Sequence, residues 1–573
     1  MLPSGTAARH RGRQAAGAAG APRFNAHRQS PAAQALQFGY NCDYMALLDL
    51  PRRDPKLLVV NHEYTNEELM FYGYDPANPT REQVEIAWAA HGLSVLVVRA
   101  DRRSGRLWPV AGDVLNRRIT ATTPIAVSGP AAGSGLLKTS ADPTGRTVLG
   151  TLNNCGGGVT PWGTVLTGEE NFNQYFAGAA AVTEPVARQR LARYGLPTGA
   201  SQRKWERFDD RFDIGKEPNE PNRHGWIVEI DPYDPDSIPR KRTALGRFKH
   251  EAAEPRLTHD GRVALYMGDD ERFDYLYKYV STHRHKRGSS RAAREHNMRL
   301  LDEGTLYVAR FTGDSPATEI DGSGTLPEDA DFAGTGEWIP LATGTTSHVP
   351  GMSAEEVCVF TRLAADKVGA TKMDRPEDVE PHPKTGVVYV ALTNNKDRGA
   401  AGKAGPDEAN PRTGNKHGHI LELSEHRCDA AAKSFGWRLM LVCGDPADPS
   451  TYFAGFDKSQ VSPISCPDNI AFDPHGNLWL ATDGSALGSN DGLFAVPVKG
   501  SHRGHVKQFL TVPKAAETCG PIITEDRILI AAQHPGEADG ATAENPASVW
   551  PDGPGNLPRP SVVSVWADRH HRD

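Results

Sequence analysis

The sequence has no long hydrophobic run and few cysteines, and both absences exclude whole classes of protein. No apolar segment of the 573-residue chain approaches the ~18 residues that a membrane-spanning helix needs. The seven cysteines are odd in number and widely spaced, which argues against a disulfide framework. The chain has 64 Lys and Arg against 71 Asp and Glu, so it lacks the excess positive charge that attracts nucleic acids or membrane surfaces. We therefore predict neither a membrane span nor a nucleic-acid partner.

A signal peptide is also not visible. The basic run from Arg9 to Arg13 is not followed by an apolar segment. Residues 1–35 are mostly Ala, Arg and Gly, and we predict that this segment is disordered. Residues 36–568 are predicted to form a single domain, which is longer than an ordinary domain unless its fold is built from repeats.

Glycine and proline are abundant, with 57 and 43 residues, and this composition favours turns over long helices. Two stretches share one pattern: Arg375 to Asn395 (RPEDVEPHPKTGVVYVALTNN) and Cys466 to Gly484 (CPDNIAFDPHGNLWLATDG). Each has a proline, an acid, a turn with glycine, a short apolar strand and a polar terminus. Looser copies begin at Leu57, His250 and Gly520.

Such self-similarity indicates a repeat architecture, because one unit cannot bury its own hydrophobic face. Short strands punctuated by Gly and Asp are typical of the blades of a β-propeller. We therefore predict an all-β propeller with helical and loop insertions on one face. The innermost strands of a propeller point toward one axis, so acids at corresponding positions of different blades are expected to converge.

The stretch from Asn153 to Asn173 (NNCGGGVTPWGTVLTGEENFN) contains residue types that could form part of a metal or anion site. Cys155 precedes three glycines, which would allow the backbone to approach a bound group closely. Glu169 and Glu170 follow a short apolar strand. On its own, Cys155 is better explained as a buried structural cysteine beside a surface acid pair. Matching acids elsewhere in the chain favour a metal site.

Polar residues at corresponding positions of the repeats form the candidate site. They are Glu63, Cys155, Glu169, Glu170, Asn171, His250, Glu251, Asp269, Asp270, Glu271, Arg375, Glu377, Asp468 and Glu517. So many acids at one channel would repel each other unless cations neutralise them. Carboxylates suit calcium, whereas a thiolate suits iron, zinc or copper. The residue types therefore indicate a mixed site, with a transition metal at Cys155 and calcium at the acidic positions.

Nine segments, from about residue 38 to the end of the chain, also match in order the motifs of a known family. They are FGYN (Phe38), NHEYTN (Asn61), NNCGGGVTPWGTVLTGEENFN (Asn153), GRFKHEAA (Gly246), MGDDERFDYLYKYVS (Met267), RPEDVE (Arg375), GHI (Gly418), CPDNIAFDPHGNLWLATDG (Cys466) and QHPGE (Gln533). With these segments the chain resembles the PhoX-type alkaline phosphatases. The resemblance implies a six-bladed propeller with an iron pair, several calcium ions and a bridging oxo group. It also implies hydrolysis of phosphate monoesters outside the cytoplasm.

The resemblance assigns roles to eleven residues. Those that look like iron ligands are Cys155, Glu251, Glu377 and Asp468; those that look like calcium ligands are Glu169, Glu170, Asp269, Asp270 and Glu271; those that look like phosphate-oxygen ligands are Asn171 and Arg375. An arginine suits the last role chemically, because its guanidinium fork matches a phosphate bidentately.

Two other functions stay open at this point. A calcium-dependent propeller lactonase would explain the DPHGNLWLATDG hairpin, but it leaves Cys155 and Arg375 unexplained. A non-catalytic propeller scaffold held together by calcium needs no arginine among its metal ligands. We predict a monomer. The family resemblance implies twin-arginine export to the periplasm or the extracellular space, but no such signal is visible, so a cytoplasmic location stays open.

Overall fold

The computed structural model describes residues 21–50, 55–101, 106–288, 290–484 and 486–566. The fold is mostly β, as the composition predicts. In this part of the chain no helix has the length and apolar character needed to span a membrane. Residues 1–20 of the segment predicted to be disordered lie outside the described residues, while Pro31–Gln34 already form a short helix.

Strands of the described residues group into five sheets in chain order. The first sheet contains β1 (Cys42–Asp49), β2 (Lys56–His62), β3 (Gly92–Ala100), β4 (Leu107–Pro109) and β5 (Arg117–Ile119). The second contains β6 (Pro124–Ser128), β7 (Thr147–Leu149), β8 (Asn154–Val159), β9 (Val165–Glu169), β10 (Ile227–Ile230) and β11 (Arg240–Arg242).

The third sheet is the largest. Its strands are β12 (Glu254–Leu257), β13 (Arg262–Gly268), β14 (Leu276–Arg284), β15 (Gly304–Gly313), β16 (Ala333–Thr343), β17 (Thr346–Ser347), β18 (Pro376–Pro381), β19 (Val388–Leu392), β20 (His419–Glu425), β21 (Ser434–Val442) and β22 (Tyr452–Phe453). The fourth sheet contains β23 (Pro467–Phe472), β24 (Leu478–Thr482), β25 (Gly492–Val496) and β26 (Lys507–Thr511), and the fifth contains β27 (Glu517–Ile523), β28 (Arg527–Gln533) and β29 (Ser561–Trp566).

The helices of the described residues are short, and all but the first lie between strands. They are α1 (Pro31–Gln34), α2 (Glu67–Met70), α3 (Arg81–Ala90), α4 (Pro185–Arg193), α5 (Arg291–Asn297), α6 (Ala354–Val359) and α7 (Thr361–Val368). Single 3-10 turns are Gly135–Leu137, Phe172–Tyr175, Ala179–Ala181, Trp205–Arg207, Asp210–Phe212, Glu220–Arg223, Thr243–Leu245, His426–Cys428, Lys458–Gln460 and Gly500–His502. The insertion between β9 and β10, which contains α4, packs its aromatic side chains against α3 and α6 in one buried cluster.

Six strands form a closed ring: β1 contacts β8, then β12, β18, β23 and β27 follow in turn, and β27 contacts β1. Four of the five recurring sequence units fall on antiparallel pairs that begin at this ring, namely β12–β13, β18–β19, β23–β24 and β27–β28, and the stretch that contains Cys155 falls on another such pair, β8–β9. The unit at Leu57 falls on β2, which pairs with β1. The third sheet departs from a simple series of separate units, because β16 pairs with both β15 and β21 and joins two sets of strands.

Two of the three glycines after Cys155 lie where β8 meets the backbone of the neighbouring ring strand. A Cβ at Gly156 would lie 2.3 Å from the Glu251 carbonyl oxygen, and one at Gly158 would lie 2.1 Å from the Ala253 carbonyl oxygen. The glycines therefore let β8 approach the neighbouring backbone around β12. This close approach is one of the contacts that close the ring.

Candidate active site

A polar cavity of about 310 Å³ lies at the centre of the ring. Its lining is dominated by carboxylates, with one thiol and two guanidinium groups. The lining residues are Glu63, Tyr64, Cys155, Glu170, Asn171, Gln174, Gln202, Arg203, Glu251, Asp270, Arg375, Glu377, Asp468, Asp483, Glu517, Gln533, His534 and Glu537. Residues that are far apart in the chain, from Glu63 to Glu537, thus meet at one place, which we call the central cavity.

Four of the ring strands share a backbone irregularity that directs side chains toward the central cavity. The pairing register shifts near the start of β1, β8, β18 and β23, and each shift encloses two residues, the first of which is Asp43, Cys155, Glu377 or Asp468. Two positions before each of them, a non-glycine residue has a positive φ, which is uncommon. Those residues are Asn41 (34°), Asn153 (54°), Arg375 (56°) and Cys466 (53°). Bulges and left-handed residues of this kind re-aim side chains at functional sites.

Cys155 lies between two carboxylates. Its Sγ is 3.2 Å from Asp43 Oδ2 and 3.2 Å from Glu251 Oε1. Three overlapping groups bring one ligand atom from each member within 4.8 Å of the others: Asp43, Glu63 and Cys155; Cys155, Glu170 and Glu251; Glu251, Glu377 and Asp468. Because Cys155 and Glu251 are each shared between two groups, the groups form one continuous cluster.

The electrostatics of this cluster call for cations. Burial and the neighbouring acids raise the pKa values of Glu251, Glu377 and Asp468 well above their usual range. Burial and Asp468 raise the pKa of Asp43 to about 7. Among the described residues, Asp43 Oδ1 is buried and has no hydrogen-bond partner. A metal centre needs ligand oxygens that are free of other partners, and buried carboxylates with unsatisfied oxygens provide them. The residues of this cluster therefore fit a metal ion.

Arg375 is held at the wall of the cavity by Asp270. Its Nε donates to Asp270 Oδ1 at 2.7 Å, and its Nη2 donates to Asp270 Oδ2 at 2.6 Å. The same Nη2 lies 3.1 Å from Glu377 Oε1. The two hydrogen bonds to Asp270 use Nε and Nη2, so Nη1 of the guanidinium takes no part in this ion pair. A cation at Asp270 would compete with Arg375 for the same two oxygens.

Asn171 also lies in the central cavity, as predicted from the sequence. Its backbone N–H donates to Asn153 Oδ1, and its side-chain amide donates to Glu170 Oε1. Asn153 in turn donates to Glu63 Oε1 at 3.1 Å. This chain of hydrogen bonds fixes Asn171 and Glu170 relative to Glu63.

Glu169 lies outside the central cavity, although its neighbour Glu170 lines it. Its carboxylate accepts bonds from Lys241 Nζ at 2.8 and 3.0 Å and from the backbone N–H groups of Gly225 and Trp226. Burial would raise the pKa of Glu169, but Lys241 and His224 lower it to about 2. Glu169 is therefore satisfied by a buried ion pair, and its predicted place among calcium ligands has no support in this geometry.

Asp269 and Glu271 are likewise directed away from the cavity. Asp269 accepts two bonds from Arg362, one of them 2.9 Å from Nε. Glu271 accepts from Lys249 Nζ at 2.7 Å. Only Asp270, between them, reaches the central cavity. Successive residues of an extended chain point to opposite sides, so a run of acids cannot send all its side chains into one site.

The ion pair of Glu169 gives a stability prediction. Both side chains are fully buried, so Lys241→Met leaves an unpaired buried carboxylate. We expect this to lower the free energy of unfolding by about 3–5 kcal/mol. The double variant Lys241→Met/Glu169→Gln should recover most of the loss, because no charge then lacks a partner. Denaturant titration of the three proteins makes the measurement, and an unchanged stability of Lys241→Met would contradict the structural role of the pair.

Several site residues escaped the sequence analysis. Asp43 was missed although it lies two residues after the FGYN segment and is the second residue of its strand, as Glu377 and Asp468 are of theirs. Gln533 Nε2 donates to both Asp43 and Glu63 at 2.9 Å. Asn469 Nδ2 donates to Glu251 at 3.0 Å. Conversely, the candidate His250 lies outside the cavity, where its Nε2 contacts the Gly246 carbonyl oxygen at 2.9 Å.

Comparison with known proteins places this geometry in a family. The model of the alkaline phosphatase PhoX family matches residues 14–536. A solved structure of Pseudomonas fluorescens PhoX in complex with vanadate, a transition state analogue, is 39% identical, with a TM-score of 0.83 over 97% of this chain and 93% of that chain.

A protein of unknown function from Dyadobacter fermentans is 8% identical, with a TM-score of 0.34 over 87% of this chain and 93% of that chain. A PL25 ulvan lyase is 10% identical, with a TM-score of 0.27 over 86% of this chain and 92% of that chain. These two weak similarities carry no argument about function. The comparison with curated proteins gave no match. The family match over most of the chain, together with the 39% identical structure, shows that the chain belongs to the PhoX family of alkaline phosphatases.

Proposed function

We propose that this enzyme hydrolyses phosphate monoesters at a mixed iron and calcium centre in the central cavity. The observation that carries the proposal is the position of Arg375, a guanidinium group beside a buried cluster of carboxylates and one thiol. Acids alone would repel a phosphate, whereas cations bound to them, together with an arginine, would attract it. Family membership and the vanadate complex of the P. fluorescens protein support the same reaction class.

Iron is proposed at Cys155, Glu251, Glu377 and Asp468. A thiolate selects a transition metal over calcium, and Cys155 is the thiol that lines the central cavity. Glu251 belongs to two of the three overlapping groups, so it is suited to link two ions. Asn469 hydrogen-bonds to Glu251 and orients its carboxylate.

Calcium is proposed at the carboxylates around the iron ligands. Glu170, from the predicted set, joins Asp43 and Glu63, which are fixed by Gln533 and Asn153. Asp270 is assigned to Arg375 instead, because both of its oxygens accept bonds from that guanidinium. Calcium prefers oxygen ligands such as carboxylates and accepts a variable number of them.

The protein groups then act by orientation and charge. Arg375 and Asn171 are proposed to bind two oxygens of the phosphoryl group, and Asp270 keeps the guanidinium directed along the wall. A metal centre of this kind supplies Lewis acidity and activates water for attack on phosphorus. Because the lining carboxylates such as Glu251, Glu377 and Asp468 are buried, the fixed charges would act on the substrate with little screening by water.

Arg375→Ala tests the assigned contact with phosphate. We expect kcat/KM for an aryl phosphate to fall roughly 10²–10³-fold, as when one donor to a developing oxyanion is removed. The matched control is Arg272→Ala, which removes a half-exposed arginine whose Nη1 donates to Asp397 at 3.0 Å away from the cavity. An Arg375→Ala enzyme with native metal content and unchanged kcat/KM would exclude this residue from the site.

The architecture completes the proposal. We infer that the closed ring of β1, β8, β12, β18, β23 and β27 is the inner layer of a six-bladed propeller. Residues 36–568 then form one domain that works as a monomer. We also propose a periplasmic or extracellular location, on the basis of family membership. Neither the lactonase nor the scaffold is favoured, since the family match supports phosphate chemistry.

A further inference from the structure

A second, smaller cavity lies beside the loop that follows β19. Its volume is about 170 Å³, and its lining includes Arg412, Lys416, His417, Ser323 and Ser450 but no Asp or Glu. Pockets that hold a whole ligand are larger, roughly 300–1,000 Å³. The size therefore suits one chemical group of a larger molecule. We call this site the distal basic cavity.

Arg412 is a fixed positive charge in the wall of this cavity. The residue is buried, and its Nη1 and Nη2 donate to the carbonyl oxygens of Cys443 and Gly418 at 2.6 and 2.5 Å. Among the described residues no carboxylate lies within 4.0 Å of it, and its buried Nε has no hydrogen-bond partner. Arg398, earlier in the same loop, differs because Asp374 neutralises it in a buried ion pair.

Lys416 adds a second positive charge to the distal basic cavity, whereas His417 adds a polar group, because burial and Arg412 lower the pKa of its imidazole. Lys416 is exposed at its edge, and His417 has a buried Nδ1 without a partner among the described residues. Asp448 is the acid whose field reaches both Arg412 and His417, but it does not line the cavity, and it accepts a bond from the Ser450 N–H at 2.8 Å. A buried guanidinium with an ammonium nearby favours an anion with several oxygens, such as a phosphate.

The distal basic cavity and the central cavity are close neighbours. The Cys466 N–H donates to the His417 carbonyl oxygen at 2.9 Å, and the Asp483 N–H donates to the Cys466 carbonyl oxygen at 3.0 Å. Asp483 lines the central cavity. On the other side, the Asn395 N–H donates to the Asn415 carbonyl oxygen at 2.7 Å, so the loop is anchored where β19 ends. Two backbone hydrogen bonds thus separate the walls of the two cavities.

We propose that the distal basic cavity binds the second phosphate group of bisphosphate substrates while the first is hydrolysed in the central cavity. The inference rests on the proposed phosphatase function and adds a substrate class to it. Monophosphates would use the central cavity alone. Bisphosphates with a suitable spacing between their two groups would gain an additional contact with Lys416 and Arg412.

The test uses the metal-loaded enzyme and a homologous series of alkanediol bisphosphates of increasing chain length. Each is compared with the hydroxyalkyl monophosphate of the same length, and kcat/KM is measured for wild type, Lys416→Gln and Lys416→Glu. The matched control is Lys384→Gln, an exposed lysine in the turn between β18 and β19, at the opposite end of these strands. We expect wild type to prefer one length of bisphosphate about tenfold over its monophosphate, the usual size of one contact between charged groups.

Lys416→Gln should reduce this preference severalfold and Lys416→Glu should abolish it, while Lys384→Gln keeps it. Monophosphate turnover should be the same in all four enzymes. The inference would be overturned if wild type preferred no chain length of bisphosphate. It would also be overturned if Lys416→Glu lowered kcat/KM equally for monophosphates and bisphosphates, because that result indicates only general electrostatic steering. Failure of wild type to hydrolyse any monophosphate would instead contradict the proposed function, so the two outcomes can be told apart.

Discussion

Cys155→Ser is expected to yield a folded protein without bound iron and without phosphatase activity. The thiol lies between Asp43 and Glu251 and belongs to two of the three overlapping ligand groups, so its loss affects both. A serine hydroxyl is a much poorer ligand for a transition metal than a thiolate. The loss of activity should exceed the roughly 10–100-fold that follows removal of a group that merely orients a ligand.

The control for this experiment is Cys358→Ser. Cys358 is also buried, but it lies in α6, within the cluster of apolar side chains around α3 and the insertion. Elemental analysis and aryl phosphate turnover are measured on wild type and both variants. Cys358→Ser should keep its iron and its activity. Equal iron in wild type and Cys155→Ser would contradict the assignment of the thiol as an iron ligand.

Removal of calcium is expected to abolish turnover reversibly. Asp43, Glu63 and Glu170 are buried around the proposed iron ligands, and neighbouring acids raise the pKa values of Glu63 and Glu170 in addition to burial. Without cations, these carboxylates would repel a phosphate or take up protons. A calcium chelator should therefore inactivate the enzyme, and calcium, but not magnesium or zinc, should restore it, because the flexible oxygen set suits the larger ion.

Iron content distinguishes the possible causes of inactivation. We expect the chelated enzyme to retain iron at Cys155, so that calcium alone restores activity. If iron is lost at the same time, the experiment is repeated with both metals added in turn. An enzyme that stays fully active after its calcium has been removed would contradict the proposed role of Asp43, Glu63 and Glu170.

The sequence located the chemistry best where the repeat was regular. Glu377 and Asp468 were found because each follows a proline at the start of a repeated unit, and the structure brings both into one ligand group with Glu251. Asp43 occupies the same position in its strand, but the FGYN segment has no proline in register with the others. The shared backbone signal, a left-handed residue two positions earlier, depends on φ and is not readable from residue types alone.

Side-chain direction was the part that sequence reasoning could not supply. Glu169 and Glu170 are adjacent, yet only Glu170 reaches the cavity, and the partner of Glu169, Lys241, lies 72 residues further along the chain. Asp269 likewise accepts a hydrogen bond from Arg362, which lies 93 residues further along the chain. The ring of strands was predictable from local patterns, whereas these buried ion pairs depend on contacts between distant segments.

The most direct test of the mixed metal centre is anomalous diffraction from crystals of the enzyme purified without chelators. Data collected on both sides of the iron absorption edge locate iron without reference to activity. We expect iron peaks beside Cys155 Sγ and among the carboxylates of Glu251, Glu377 and Asp468, with lighter, iron-free density at Asp43, Glu63 and Glu170. An absence of iron signal in the central cavity, or a signal at the zinc edge in its place, would contradict the account.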